Sequence, residues 1–241
     1  MSRSTRSAAF LSVARPYVRR TLASELDGVL VRGLDRVVAL TQARPLVLAS
    51  THVGYWDPLV VLMLDEALPG IGHVLMDAVS LARLPFFGSV GAIPVDRRDH
   101  ARALVDLDQA AAMLDAPAQR MWIFPQGRHR PPHLRPLSLR PGVLRLVSAS
   151  DAALVPVALT YAFRESPRPT CFVSFGEPIE ASVIASDGLG AIEAGIEREL
   201  SVIDAVHEAH EASEFTTLVA SRVPKPDDSI ATKWLARLVR G

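Results

Sequence analysis

Five short apolar runs, three of them followed by residues at helical spacing, limit how this chain can fold. They are Leu46-Val47-Leu48-Ala49, His73-Val74-Leu75-Met76, Ile93-Pro94-Val95, Met121-Trp122-Ile123-Phe124 and residues 153–160. Runs of four to eight apolar residues bounded by turn signals read as buried strands. Between them, residues 58–66, 100–115 and 142–149 have helical spacing. In 100–115, Ala103, Leu104, Leu107, Ala110, Ala111 and Leu114 are expected to face inward. A further run at 170–176 alternates and is expected nearer a sheet edge. Strand and helix in alternation imply an α/β fold: a single domain, a largely parallel twisted sheet and helices on both faces.

The turn after the first run holds the most informative residues, His52-Val53-Gly54-Tyr55-Trp56-Asp57-Pro58. Asp57 and Pro58 suit the start of a helix. On one helix, residues five apart are rotated by about 500° and point away from each other. Across a strand–loop–helix turn they can meet, the carboxylate on one imidazole nitrogen and the other nitrogen facing a cleft. That arrangement makes a general base. Taken alone, the segment equally fits an aspartate that caps its helix and a histidine satisfied at a strand end.

Two later turns are basic. Asp96-Arg97-Arg98 projects from the end of a strand, where arginine's planar fork suits a phosphate or carboxylate. The same cluster equally fits a solvated turn or an ion pair with Asp96 or Asp99. Pro125-Gln126-Gly127-Arg128-His129-Arg130 follows another strand as a rigid turn whose amides and arginines can hold an anion; alone, it also fits a proline-rich surface loop.

Composition removes several classes. The formal net charge is zero, so nothing global points to nucleic acid. The single Cys171 excludes an intramolecular disulfide and any multi-cysteine metal site. The scattered His73, His100, His133, His207 and His210 form no ligand set, and no metal is expected. No apolar run is long enough for a transmembrane helix, though a mean hydropathy of +0.21 leaves membrane contact open.

The flanks read as helical. Residues 5–40 carry Leu22, Leu26, Val29, Leu30, Leu34, Val37 and Val38 at helical spacing, with a break expected near Pro16. Residues 189–210 form a charged amphipathic helix, and residues 214–223 read as another. Pro224-Lys225-Pro226 is a linker, and residues 230–240 set Trp234 and Leu238 against Lys233, Arg237 and Arg240. The amphipathic ends suit a membrane interface or packing on the core. The expected organisation is an amphipathic helical segment at 1–44, an α/β core at 45–180 and a helical region at 181–241.

In order along the chain, these motifs resemble the lysophospholipid and glycerol-phosphate acyltransferase family. His52 through Asp57 is similar to that family's His-x4-Asp motif. Gly91-Ala92-Ile93-Pro94-Val95-Asp96-Arg97 resembles its second motif and Phe124-Pro125-Gln126-Gly127 its third; Val155-Pro156-Val157-Ala158 resembles its fourth. The Arg140-Pro141-Gly142 helix start also fits the pattern. The likeness covers about residues 45–180. Gln126 stands where the family usually has glutamate, and His129 where its arginine would fall. Arg130-Pro131 fits a variant of the third motif.

The resemblance implies that His52, oriented by Asp57, deprotonates an acceptor hydroxyl for attack on an acyl-coenzyme A or acyl carrier protein thioester. It implies substrate binding by Arg97, Gln126, Gly127, Arg128 and Arg130, with 1-acylglycerol-3-phosphate as the leading acceptor. It implies no bound cofactor, a membrane surface as partner, and a cytoplasmic, peripheral position on the inner face of the membrane. The departures leave open a lipid alcohol without phosphate, or a lipid-binding protein without catalysis. No Gly-x-Ser-x-Gly elbow supports a serine hydrolase. Acyl-chain length and oligomeric state are not encoded legibly.

Overall fold

The computed structural model describes residues 6–209 and 211–223. In chain order the elements are α1 (Ala8–Glu25), β1 (Gly28–Arg32), α2 (Leu34–Ala43), β2 (Leu46–Ser50), α3 (Asp57–Ala67) and β3 (Ile71–Asp77). Then come α4 (Ala78–Arg83), α5 (Phe86–Ser89), β4 (Ala92–Val95), α6 (His100–Ala111), β5 (Gln119–Ile123) and α7 (Gly142–Ser148). The chain continues through β6 (Ala153–Phe163), β7 (Pro169–Phe175), α8 (Ala181–Asp187), α9 (Leu189–Ala209) and β8 (Thr216–Ala220).

The strands form one sheet in the order β4-β3-β5-β2-β6-β7-β1-β8. Five neighbouring pairs are parallel; β6–β7 and β1–β8 are antiparallel. Alternation along β2 divides the core between the sheet's faces. Leu46 and Leu48 pack with α1, α2 and α3, while Val47 and Ala49 pack with α6, α7 and α9. Each fully buried leucine or valine among them contributes about 1.5–3 kcal/mol of transfer free energy. This is the α/β architecture with helices on both faces that the alternating runs imply.

Four local readings are corrected. Residues 28–32 are not helical: β1 lies between β7 and β8, pairing Val29 with Cys171 and Val219. Its apolar residues fit helical spacing as well as strand alternation, and the pairing that decides between them is distant in sequence. Pro16 does not break α1, which runs through it. Pro16 and Ser12 are exposed, so the carbonyl that loses its partner can meet water. Residues 216–220 form strand β8 where a helix was expected. Finally, β7 is internal and almost wholly buried, flanked by β6 and β1. The linker at 224–226 and the amphipathic segment at 230–240 lie outside the described residues.

Candidate active site

The site forms where β2 ends. Thr51 locks that end to β6: its hydroxyl donates to Leu159 O and accepts from Leu159 N, both at 2.7 Å. The next residue, His52, is gripped at both ends of its backbone. Its N–H donates to Gln126 Oε1 at 2.8 Å, and its carbonyl accepts from the Arg130 amide at 2.8 Å.

His52 Nδ1 lies 2.7 Å from Asp57 Oδ2. A carboxylate can only accept here, so Nδ1 carries the proton and Nε2 keeps its lone pair. The imidazole stacks on Phe124 with centroids 4.2 Å apart, and His129 meets it edge-on at 4.1 Å. Asp57 is fully buried. It is the first residue of α3, where the helix dipole favours a negative charge. Rather than capping α3, its Oδ2 accepts the amides of Val53 and Gly54 at 2.8 and 3.0 Å, and its Oδ1 accepts the Tyr161 hydroxyl at 2.8 Å.

The surrounding groups stay neutral. Burial, then the neighbouring His52, holds the His129 imidazole below its usual value, so it is uncharged near neutral pH. Burial first, with Cys171 and Asp57 adding to it, pushes the Tyr161 phenol far up, so it remains a donor. Cys171 is fully buried and its thiol is likewise raised by burial.

His52 faces a cleft of about 2220 Å³ that passes over the strand ends from one face of the sheet to the other. Val18, Leu59 and Leu62 line it on the α1–α3 side; Leu107, Val143 and Ile184 line it on the α6–α7 side. Leu104, expected to point inward, instead faces this cleft and is 37% exposed, because α6 packs through Leu107, Ala110 and Ala111.

The residues expected to bind substrate divide into two groups. Arg97, Gly127 and Arg128 line the cleft. Arg97 donates from Nη1 to Gly127 O at 2.5 Å, and Gly127 holds a positive φ of 67°. Gln126 and Arg130 do not line it. Gln126 is 3% exposed, and besides accepting from His52 its Nε2 donates to Leu137 O at 3.4 Å. An amide satisfies both contacts, whereas a carboxylate would face the Leu137 carbonyl with no proton to offer. Arg130 turns away to donate to Pro136 O at 2.9 Å. Both therefore hold the backbone of His52, Gln126 through its side chain and Arg130 through its amide.

Two residues here are absent from the sequence-based set. Arg140 lines the cleft over Gly127, where a Cβ would lie 2.9 Å from its Nε and 3.4 Å from Arg97 Nη2. Its sequence signal is its place at a helix start on the same side as the third motif. Tyr161 follows the fourth motif and had no signal beyond a polar tip that needs a partner when buried.

Ring nitrogens of His52 and His129 and a carboxylate oxygen of Asp57 lie within 4.8 Å of one another. The arrangement does not suit a cation, because Asp57 already accepts four hydrogen bonds, one of them from His52 Nδ1. Among the described residues, no helix is long and apolar enough to cross a membrane.

No curated protein matches the chain. A family model described as Acyltransferase matches residues 28–160, more than half of the 241 residues. Its span holds β2, α3, both basic turns and most of β6, and the chain belongs to this family of lysophospholipid and glycerol-3-phosphate acyltransferases.

Proposed function

We propose that this acyltransferase moves a fatty acyl group from an acyl-coenzyme A or acyl carrier protein thioester to a hydroxyl of a lysophospholipid, with 1-acylglycerol-3-phosphate as the preferred acceptor. The observation that carries the proposal is the His52–Asp57 pair opening onto an apolar cleft with arginines beside it. His52 Nε2 takes the acceptor O–H proton as that oxygen attacks the thioester carbonyl. The tetrahedral intermediate then collapses, the C–S bond breaks, and the imidazolium returns its proton to the leaving thiolate. No acyl-enzyme forms. Such base catalysis contributes about 10²–10⁴-fold, and positioning supplies much of the remainder.

Arg97, Arg128 and Arg140 line the cleft and would meet the acceptor phosphate, and the positive φ of Gly127 lets its backbone approach closely. The apolar walls suit hydrocarbon chains. Phe10, Val13, Tyr17, Leu84 and Phe86 are exposed around the cleft. This apolar rim would meet the membrane that supplies the acceptor, on its cytoplasmic face.

The test is thiol release from acyl-coenzyme A and acyl carrier protein donors with lysophosphatidate, glycerol-3-phosphate and other lysolipids, for wild type and His52→Ala. Acceptor-dependent release with lysophosphatidate, lost in His52→Ala, is expected. One observation favours a second reading: neutral His129 where the family's arginine would fall. Release with glycolipid or amino-acid lipid alcohols and none with phosphate acceptors would establish that reading. Vesicle binding without release for any acceptor would establish a lipid-binding protein.

A further inference from the structure

We propose that Tyr161 is a positioning residue of the transfer reaction, holding Asp57 and the loop that carries it in the geometry His52 needs. The inference rests on the reading of His52 as the base. Two independent contacts support it. The hydroxyl donates to Asp57 Oδ1 at 2.8 Å. The ring lies against Gly54, where a Cβ would meet Tyr161 Cε2 at 3.4 Å. The phenol thus fixes both the carboxylate and the loop between His52 and α3.

Asp57 Oδ2 takes three donors, His52 Nδ1, Val53 N and Gly54 N; among the described residues Tyr161 is the side-chain donor to Oδ1. A fully buried carboxylate with one oxygen unsatisfied turns or draws in water to recover a partner. Turning would break the bond to His52 Nδ1 and let the imidazole rotate. Tyr161 prevents this without approaching the substrate: it is not part of the cleft wall. The effect belongs to kcat and leaves substrate affinity alone.

Tyr161→Phe removes the donor and keeps the ring against Gly54. With palmitoyl-coenzyme A and lysophosphatidate, kcat is expected to fall about 10- to 100-fold, the effect of removing a hydrogen bond to a buried charge. Both KM values should stay within about two-fold, since only a transition-state interaction is lost. The titratable groups around this aspartate are His52, His129, Tyr161 and Cys171.

A substrate-free readout is the low-field ¹H resonance of the His52 Nδ1 proton, assigned by its loss in His52→Ala. It should move or broaden in Tyr161→Phe. Cys171→Ala, which disturbs the same pocket but leaves Asp57 its donors, should change neither kcat nor this resonance. The proposal is overturned if Tyr161→Phe keeps the wild-type resonance and rate. It is also overturned if its activity falls only in step with the folded fraction. Retained activity in His52→Ala would instead remove the reading of His52 as the base.

Discussion

Asp57 and Asp65 sit on the same helix about two turns apart, and both are buried, yet one meets an imidazole beside the cleft and the other meets guanidinium groups. Asp57 is held by amides, a phenol and an imidazole, all neutral donors, so the only partner able to take up charge is His52. Asp65 is held by guanidinium groups. Its Oδ1 lies 2.7 Å from Arg120, which is fully buried, and its Oδ2 lies 3.1 Å from Arg6. Arg120 also donates to the carbonyls of Asp65, Leu68 and Pro69. Gly72 completes the packing, since a Cβ there would overlap Asp65 Oδ1 at 1.6 Å. A carboxylate tied to guanidinium groups anchors the helix to the sheet; one tied to an imidazole orients a ring whose other nitrogen faces the cleft.

The contrast is tested most severely by removing its active members. His52→Ala should lose about 10²–10⁴-fold in acceptor-dependent thiol release while melting like wild type. Asp65→Ala should do the reverse. Leaving Arg120 buried without its counter-charge costs about 3–5 kcal/mol. Denaturant unfolding should show this loss, while thiol release per folded molecule stays intact. If Asp65→Ala loses activity at full stability, the division between the two carboxylates fails.

A smaller effect is expected at Gln126, whose amide connects the third motif to the base. Gln126→Glu strips Leu137 O of its donor and buries a charge. Stability should fall by about 1–3 kcal/mol, with kcat lowered and donor KM unchanged in steady-state assays.

Smaller still is the pH response of the scaffold. His73 lies beside Arg6, Asp65 and Arg120, and burial, the leading cause, holds its imidazole below the ordinary 6.5. The unfolded chain therefore binds this proton at a higher pH than the folded one. Its contribution is complete above about 6.5 and is lost as pH falls from there toward the depressed folded value. Comparing denaturant midpoints of wild type and His73→Gln across this range should show a shallower acid loss in the variant. At the low end, Arg145→Ala breaks the exposed pair with Asp108 and should leave the midpoint unchanged within error.

What could be read from the sequence was local. The strand–loop–helix turn placed His52 and Asp57 together because both ends of the pairing lie within one supersecondary unit. Arg97 and Gly127 were legible for the same reason, each at a strand end. The misassigned strands depend on distant partners. β1 is a strand because of β7 and β8, and β7 is central because of β1. Gln126 faces the His52 peptide and Leu137, so its identity as a basic-turn residue said nothing of its direction. Tyr161 meets Asp57 across more than one hundred residues of chain.

The placement of β1 also bears on the order in which the protein assembles as it is synthesised. β1 leaves the ribosome early, but its neighbours β7 and β8 come close to the end of the described chain. Until residues 169–175 have emerged, it has no parallel neighbour. Until 216–220 follow, its other edge offers unpaired amides to any passing strand. The strands that carry the His52–Asp57 turn, β4-β3-β5-β2-β6, make no pairing with β1 or β8. The segment that carries the family signature, ending at residue 160, thus stops short of the strand that joins its own beginning to the sheet. Without the later strands β1 would stay detached with open edges, a hazard for aggregation that residues 169–220 remove.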